Sequence, residues 1–454
     1  MNELKITSSI LILTILAIGY ALFSQPNLKQ VVWKRGEKRF IYGQIEQAVA
    51  KKPGELNLLV RLKQGKIYLV LPQISPLAKC AAGNTIKAAV KLYPIQPGFN
   101  GYRELYDYLL YRRGILARSW LSGDFRCDGA EVSQPLRLRI FEYFRKLFGD
   151  TDQLSLIFAI NFGAGELIGE NIKELFRELG LSHALVVSGF HVGLVYSITF
   201  LLLDFLISRS VYLLCIIPSE FLAAPLALLT ASYFSVFSGF AMPCVRAILF
   251  LFVNAFYKII GSSASSLHRV LMTFCLIVFF DPSSFFDLSL LLSVAAVVGV
   301  LCGLRVQSIA ESYMNRFARI IGAFAINFFA WCFTLPICLV FFGQIFITAP
   351  LHNFILLPLI TVFFSCVGCF AILLGLIGIS CFNYAVGLIL LILGHFLGSI
   401  WKVNEFMPIG GQALEFEQAT YLAILVILLD AYSLFILYSF STKPTDEFQQ
   451  LARA

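Results

Sequence analysis

Two histidines and a serine interrupt an apolar run at Gly180-Leu181-Ser182-His183-Ala184-Leu185-Val186-Val187-Ser188-Gly189-Phe190-His191-Val192-Gly193-Leu194. If residues 183–207 form one helix, Ser188 and His191 share a face, and His183 lies only about 80° around the axis from His191. One side of that helix is then polar, and polar groups are costly against lipid. Such a stripe either lines a watery path for a polar substrate or makes hydrogen bonds between helices. Gly189 and Gly193, four apart, form a groove that a second helix can enter. A Ser188–His191 nucleophilic pair has no orienting carboxylate nearby, because Asp204 is more than two turns away, so hydrolysis has no support. Arg246 follows Pro243 at the edge of another apolar run. It either reaches to the membrane interface or holds a phosphate through its forked donors.

The elements that position these residues follow from composition. Of 454 residues, 58% are hydrophobic and 14% charged, with a mean hydropathy of +0.80. A water-soluble domain carries about 25% charged residues. The apolar residues are gathered in long runs, which read as membrane-spanning helices. This excludes a cytosolic enzyme, a small secreted disulfide domain, a collagen and a disordered tail. An outer-membrane barrel, with its short alternating segments, is excluded as well. The expected fold class is a polytopic α-helical membrane protein with an N-terminal anchor helix and a small all-β OB-like extramembrane domain. The anchor occupies residues 1–26, with Ile6 to Phe23 as the span, and the basic β module residues 27–134. An amphipathic, interfacial segment occupies 135–182, the multi-span domain 183–441 and a short polar tail 442–454. Nine spans are expected over 183–207, 211–236, 243–260, 268–280, 288–304, 318–343, 351–378, 382–401 and 419–441. Breaks near Pro218, Pro225, Pro243, Pro336 and Pro358 are candidate marks of a transport route.

The β module is built from short runs at Arg39–Ile45, Leu56–Leu62, Lys66–Leu71, Thr85–Tyr93 and Ile115–Leu121, with an amphipathic helix at Gly101–Arg113. Lys63-Gln64-Gly65 marks a hairpin turn. Five strands and one helix in about a hundred residues suggest a small OB-type barrel. Residues 24–148 hold 22 of the 35 Lys and Arg and 9 of the 27 Asp and Glu, a local net charge of +13. Such a module attracts nucleic acid or anionic lipid. Arg61, Lys63, Lys66, Lys87 and Lys91, interleaved with Tyr42, Tyr68 and Tyr93, supply the cations and stacking faces that a single strand needs.

Nine of the eleven cysteines, Cys215 to Cys381, lie in apolar segments and act as small hydrophobes, including the Cys366/Cys369 pair. Cys80 and Cys127 stand alone in the β module and form the candidate disulfide of a domain outside the cytoplasm. The cations after the anchor, Lys29, Lys34, Arg35, Lys38 and Arg39, argue for the cytoplasm instead. A folded domain translocates despite its charge, so the cysteines are given the greater weight. The five histidines offer no metal site and no cofactor is expected.

The His183–Leu194 stretch resembles the signature of the ComEC family of competence proteins, His-Leu-Leu-x-x-Ser-Gly-Leu-His-x-Gly-Leu. His183, Ser188, Gly189, His191 and Gly193 match in identity and spacing, with Phe190 in place of Leu. Val245-Arg246-Ala247, Asp281-Pro282, Thr334-Leu335-Pro336, Phe342-Gly343-Gln344 and Asn353 with Leu357-Pro358-Leu359 resemble further family elements in order. Tyr102-Arg103-Glu104-Leu105 and Tyr111-Arg112-Arg113-Gly114-Ile115 resemble the end of the family's OB-like domain. The family's Gln-Leu-Ser element has Leu291 in place of Gln, and Gly163-Ala164-Gly165-Glu166 keeps another element only loosely. The resemblance implies an inner-membrane channel that conducts single-stranded DNA into the cytoplasm during natural transformation, with His183, Ser188, Gly189, His191, Gly193 and Arg246 as pore candidates. It implies a short form without the metallo-β-lactamase-like domain of many members, and hence no enzyme activity. No phosphate-binding Walker loop is present, so a cytoplasmic ATPase, a periplasmic DNA receptor and a separate nuclease are the expected partners, with a homo-oligomer as a further option. The other readings are a transporter or flippase for another anionic substrate, and a non-conducting assembly protein.

Overall fold

A computed structural model describes residues 13–20, 33–52, 55–72, 80, 83–95, 102–129, 136–210, 212, 218–261, 265–312, 316–377, 380–406 and 412–441. Residues 13–20 are helical (α1), and the rest of the expected anchor and the 442–454 tail lie outside the described residues. Ala17 and Ile18 pack with Phe274, Val278 and Leu290, which ties this helix to the membrane domain.

Strands β1 (Glu37–Lys52), β2 (Glu55–Leu62), β3 (Gly65–Pro72), β4 (Thr85–Pro94) and β5 (Ile115–Asp128) close a barrel in the order β1-β2-β3-β5-β4. The alternation in the sequence sets the inside: Ile41, Leu58, Val60, Ile67, Leu69, Ile86, Ala88 and Val90 fill it, all at 5% exposure or less. Sγ of Cys80 and Sγ of Cys127 lie at bonding distance, joining the loop before β4 to the end of β5. Helix α2 (Tyr102–Arg112) packs outside the barrel. Its Leu110 joins Leu59 of β2, Ile95 and Ile115 in a second small core, against which Tyr68 of β3 rests.

The membrane domain follows the expected run of helices. These are α6 (Gly189–Ile207), α7 (Ser219–Phe237), α8 (Met242–Ile259), α9 (Ser266–Phe280), α10 (Leu288–Ser312), α11 (Arg316–Phe342), α12 (Ala349–Leu376), α13 (Ser380–Phe406) and α14 (Phe416–Ser441). Among the described residues, seven helices are long and apolar enough to cross a membrane, and α9 is a shorter apolar helix. Ile198, Leu201, Leu202 and Phe205 of α6 are all more than half exposed, as a lipid-facing surface requires. Helices α10 and α11 pack backbone to backbone. A side chain at Gly299 or Gly303 would lie 2.4 Å from backbone atoms of Phe329 or Ile326, so this small-x-x-x-small pair lets two backbones touch.

Two expectations gain detail here. The 135–182 segment, expected at the membrane surface, is fastened to the bundle along one side. Helices α3 (Leu136–Phe148) and α4 (Asp152–Phe162) form a hairpin, and every residue from Leu154 to Asn161 is buried. Phe144 and Ile157 fit where Gly375 and Gly368 of α12 leave room, and Gln153 sits against Gly394 of α13. Phe141 and Phe144 of α3 are therefore buried in protein, while Leu136, Tyr143 and Leu147 stay exposed. The prolines also divide. Pro218 and Pro243 begin helices, Pro225 and Pro336 lie within continuous ones, and only Pro358 precedes an irregularity. That irregularity is a π-helical segment at Thr361–Val367 in α12. Proline removes a donor from the ladder and loosens the turns beside it.

The barrel is docked by α2. Tyr102 Oη donates to the carbonyl of Leu414 at 2.8 Å, and its ring fills the space that a side chain at Gly343 would need. Arg112 stacks over Phe286 at 4.3 Å, and Arg113 pairs with Asp287 at 3.8 Å. Phe286, Gly343 and Leu414 follow α9, α11 and α13 in turn, so alternate loops of the bundle meet the barrel side, as successive crossings require.

Candidate functional site

The helix expected over 183–207 begins at Gly189. His183 belongs to a separate 3-10 turn, Ser182–Leu185, and Val186 and Ser188 are extended between the two. His183 is exposed on that turn and does not share a helix face with His191. The polar stripe is thus replaced by a helix terminus. Ser188 occupies the N-cap of α6, and its backbone N–H donates to Nδ1 of His191 at 3.3 Å, as a carboxylate or amide does in a capping box. The Ser-x-x-His spacing is therefore that of a cap.

This cap fixes the histidine's chemistry. A backbone N–H can only donate, so Nδ1 must accept and the proton sits on Nε2. The Ser188 hydroxyl also lies 3.1 Å from Nδ1, and the Nε2–H donates to Oγ of Ser365 at 3.2 Å. Ser365 is buried in the π-helical segment of α12. One residue before it, the carbonyl of Phe364 accepts from Asn161 Nδ2 of α4 at 2.9 Å, and Asn161 also donates to Ile157 at 2.9 Å. A π turn displaces carbonyls from their regular partners, and Asn161 satisfies one of them. His191 and Asn161 thus meet α12 at adjacent residues of its irregular turn. Neither Ser365 nor Asn161 is singled out by the sequence.

Gly189 lies where α6 meets α8: a side chain there would approach Ala247 to 3.3 Å, whereas Gly193 faces open space. The expected Gly189/Gly193 groove is therefore half formed. Arg246, beside Ala247, turns to the other side. Its Nη2 donates to Ser289 Oγ at 2.9 Å, and Asp287 is close enough to act on its charge. Asp287 accepts from the backbone of Ser289 at 3.0 Å and faces Arg113 of the barrel helix. His191 and Arg246 accordingly flank one α6–α8 contact but point to α12 and α10 respectively. The nearby Asp281 carboxyl, although burial opposes it, is held below its ordinary value by hydrogen bonds from Ser283 and Ser284.

His352 of α12 is buried and hydrogen-bonded through Nδ1 to the carbonyl of Leu179 at 2.9 Å. That bond closes the end of α5 (Glu170–Glu178). Among the described residues, no group of three His, Cys, Asp or Glu side chains could hold a metal.

The barrel's candidates fall on two walls. Tyr42, Lys87, Lys91 and Tyr93 point outward from β1 and β4, where Lys87 lies 5.4 Å from the Tyr42 ring and Lys91 5.7 Å from the Tyr93 ring. Arg61 and Lys66 lie on β2 and β3 and both pair with Glu46, and Lys63 is exposed on the hairpin turn between them. Burial raises the Glu46 pKa, but Lys66 and Arg61 outweigh it and hold the carboxyl below its ordinary value. Tyr68, on the same wall, is pressed against the core under α2, and burial pushes its phenol up. Its ring is not offered to a ligand.

A family model described as Competence protein matches residues 160–440. Recombination protein 2 of Haemophilus influenzae (strain ATCC 51907 / DSM 11121 / KW20 / Rd) is 23% identical over 330 residues, covering 65% of this chain and 41% of the relative. The chain thus spans less than half the length of this curated relative. No solved structure matches it.

Proposed function

The chain belongs to the Competence protein family, and on that premise we propose that it passes single-stranded DNA through the cytoplasmic membrane into the cell during natural transformation. The observation that carries this reading is the family match over the membrane domain, which contains His191, Ser365 and Arg246. The basic barrel receives the strand outside the cytoplasm, and the helical bundle conducts it.

The distribution of charge supports this orientation. Arg209, Lys258, Arg269, Arg305, Arg316 and Arg319 flank the loops after α6, α8 and α10, on the side away from the barrel. The loops between spans on the barrel side are flanked by Arg246 and Lys402, and Lys173 and Arg177 precede α6, accompanied by Glu170, Glu174, Glu178, Asp281, Asp287, Glu405 and Glu415. Short loops rich in Lys and Arg stay in the cytoplasm, whereas a folded domain of about a hundred residues crosses largely regardless of its charge. Both points support a barrel outside the cytoplasm, where Cys80 and Cys127 can stay oxidised. The Lys and Arg that follow the anchor belong to the translocated domain and do not govern the outcome.

In the bundle, His191 supplies a neutral imidazole and Arg246 a guanidinium that a phosphate can draw from its partners Ser289 and Asp287. The test is flux in proteoliposomes that contain the full chain. A labelled single strand should reach a nuclease-protected interior, and Arg246→Ala should slow it. Equal entry into protein-free vesicles, or undiminished entry with both Arg246→Ala and His191→Ala, favours an assembly role and overturns the conduit.

A further inference from the structure

We propose that the wall formed by β1, β4 and β5 is the track on which single-stranded DNA lies on the barrel. The proposal rests on the DNA-handling reading above and specifies where contact is made. In barrels of this strand order, nucleic acid ordinarily meets the wall of strands 2 and 3. Here that wall is closed, because Leu59 and Tyr68 are covered by α2 and its neighbours. The same helix fastens the barrel to the membrane domain through Tyr102 and Arg113.

The wall of β1, β4 and β5 is open beyond the edge that α2 touches, and is built from rows that cross three strands. Tyr42 pairs with Lys87 and Lys87 with Arg126, while Phe40 pairs with Ala89 and Lys91 with Trp120. Phe40 is 70% exposed, Tyr42 60% and Trp120 44%, on a barrel whose interior is otherwise filled. Exposed aromatic rings on a sheet cost hydration unless something covers them. Trp120 is fixed edge-on by Tyr93 at 4.9 Å, so its ring is held in place rather than free to fold back. Gly123 of β5 sits against Ala89 of β4, where a side chain would come within 3.2 Å of the Ala89 Cβ.

Rings separated by two residues along β1 stand roughly 6.6 Å apart, with Lys87, Lys91 and Arg126 beside them. Alternating stacking faces and cations suit an extended polyanion whose bases are unpaired. A duplex keeps its base faces stacked inside and cannot use the rings. Asp107 of α2 accepts from Arg118 of β5 at 2.6 Å at the edge of this wall, and Phe40, Tyr42 and Trp120 beyond it stay exposed. Asp128 pairs with Lys87 at 3.5 Å and Arg126 at 2.7 Å, and a phosphate entering there displaces it.

The test uses the full chain in nanodiscs of zwitterionic lipid, with binding of a labelled oligothymidine followed by anisotropy across salt concentration. Phe40→Ala and Trp120→Ala each lower affinity by about tenfold. Lys87→Ala with Lys91→Ala flattens the slope of log K against log salt by about 1.4. The Arg61→Ala, Lys66→Ala pair has the smaller effect. An equal or larger loss on that second pair overturns the proposal, as do ring substitutions without effect. Loss of binding to anionic vesicles with DNA binding intact overturns it in favour of a lipid contact. In those cases the conduit reading stands, whereas failure of the unaltered protein to bind the oligonucleotide at low salt removes both.

Discussion

Removing the imidazole of His191 tests the account of the bundle at its most specific point. The ring makes two kinds of contact: Nδ1 accepts from the Ser188 cap, and Nε2 donates to the buried Ser365 hydroxyl. Loss of a capping acceptor costs about 1 kcal/mol. Leaving a buried hydroxyl without its partner costs about 1 to 3 kcal/mol more. His191→Ala should therefore destabilise the membrane domain by about 2 to 4 kcal/mol. Ser365→Ala, which strands the Nε2–H, should cost about 1 to 2 kcal/mol. Because the two share one bond, the double variant should fall short of the sum by about 1 kcal/mol. His191→Gln places at the third helical position a residue that serves in ordinary capping boxes, so it should recover about 1 kcal/mol of the loss. Reversible unfolding in mixed micelles, followed by tryptophan fluorescence, gives the four values of the cycle. Strict additivity of His191→Ala and Ser365→Ala would refute the shared bond.

Three other outcomes follow from separate parts of the molecule. Gly303→Val forces a branched side chain into the backbone of Ile326, where even a Cβ would lie at 2.4 Å; it should cost about 1 to 3 kcal/mol in the same unfolding measurement, while Gly193→Ala, in open space, should cost little. Cys80→Ser with Cys127→Ser opens a loop of sequence separation 47, which the chain-entropy relation values at about 4 kcal/mol; a matching loss on adding reductant to the unaltered protein, absent in the double variant, identifies the bond. Glu46 is held below its ordinary value of 4.5, so its contribution is complete above that pH and is lost as the pH falls through the lowered value. Glu46→Gln should accordingly flatten the acid limb of barrel stability below about pH 4.5, measured by circular dichroism on pH titration.

The parts of this fold that were legible in the sequence are those governed by local periodicity. The membrane helices announce themselves as apolar runs, most of them of bilayer length, and the strands of the barrel by alternation around Gly and Pro. The Lys63-Gln64 turn sits where Gly65 suggested it. The site was less legible because it depends on contacts between distant residues. Val186 to Ser188 are apolar enough to continue a helix, yet the serine stops it, and the polar stripe becomes a cap. Asn161 and Ser365 look like incidental polar residues until the π turn of α12 frees a carbonyl and exposes a hydroxyl for them to answer. The α3 pattern does not say which of its apolar residues meet protein, and the seat of Phe144 depends on Gly375, more than two hundred residues away. On the barrel, the alternation that placed Tyr68 outward could not reveal that α2 would cover it, nor that Phe40 and Trp120 would be left exposed.

The central claim is passage of single strands into the cytoplasm, and labelled DNA uptake in a naturally competent host with and without this gene tests it most directly. With the gene deleted, labelled DNA should still gather outside the cytoplasmic membrane, while the nuclease-protected single-stranded pool inside and the yield of transformants disappear. Restoring the unaltered chain should restore both. Undiminished entry of label into the cytoplasm of the deletion strain, with competence verified in parallel, would contradict the account.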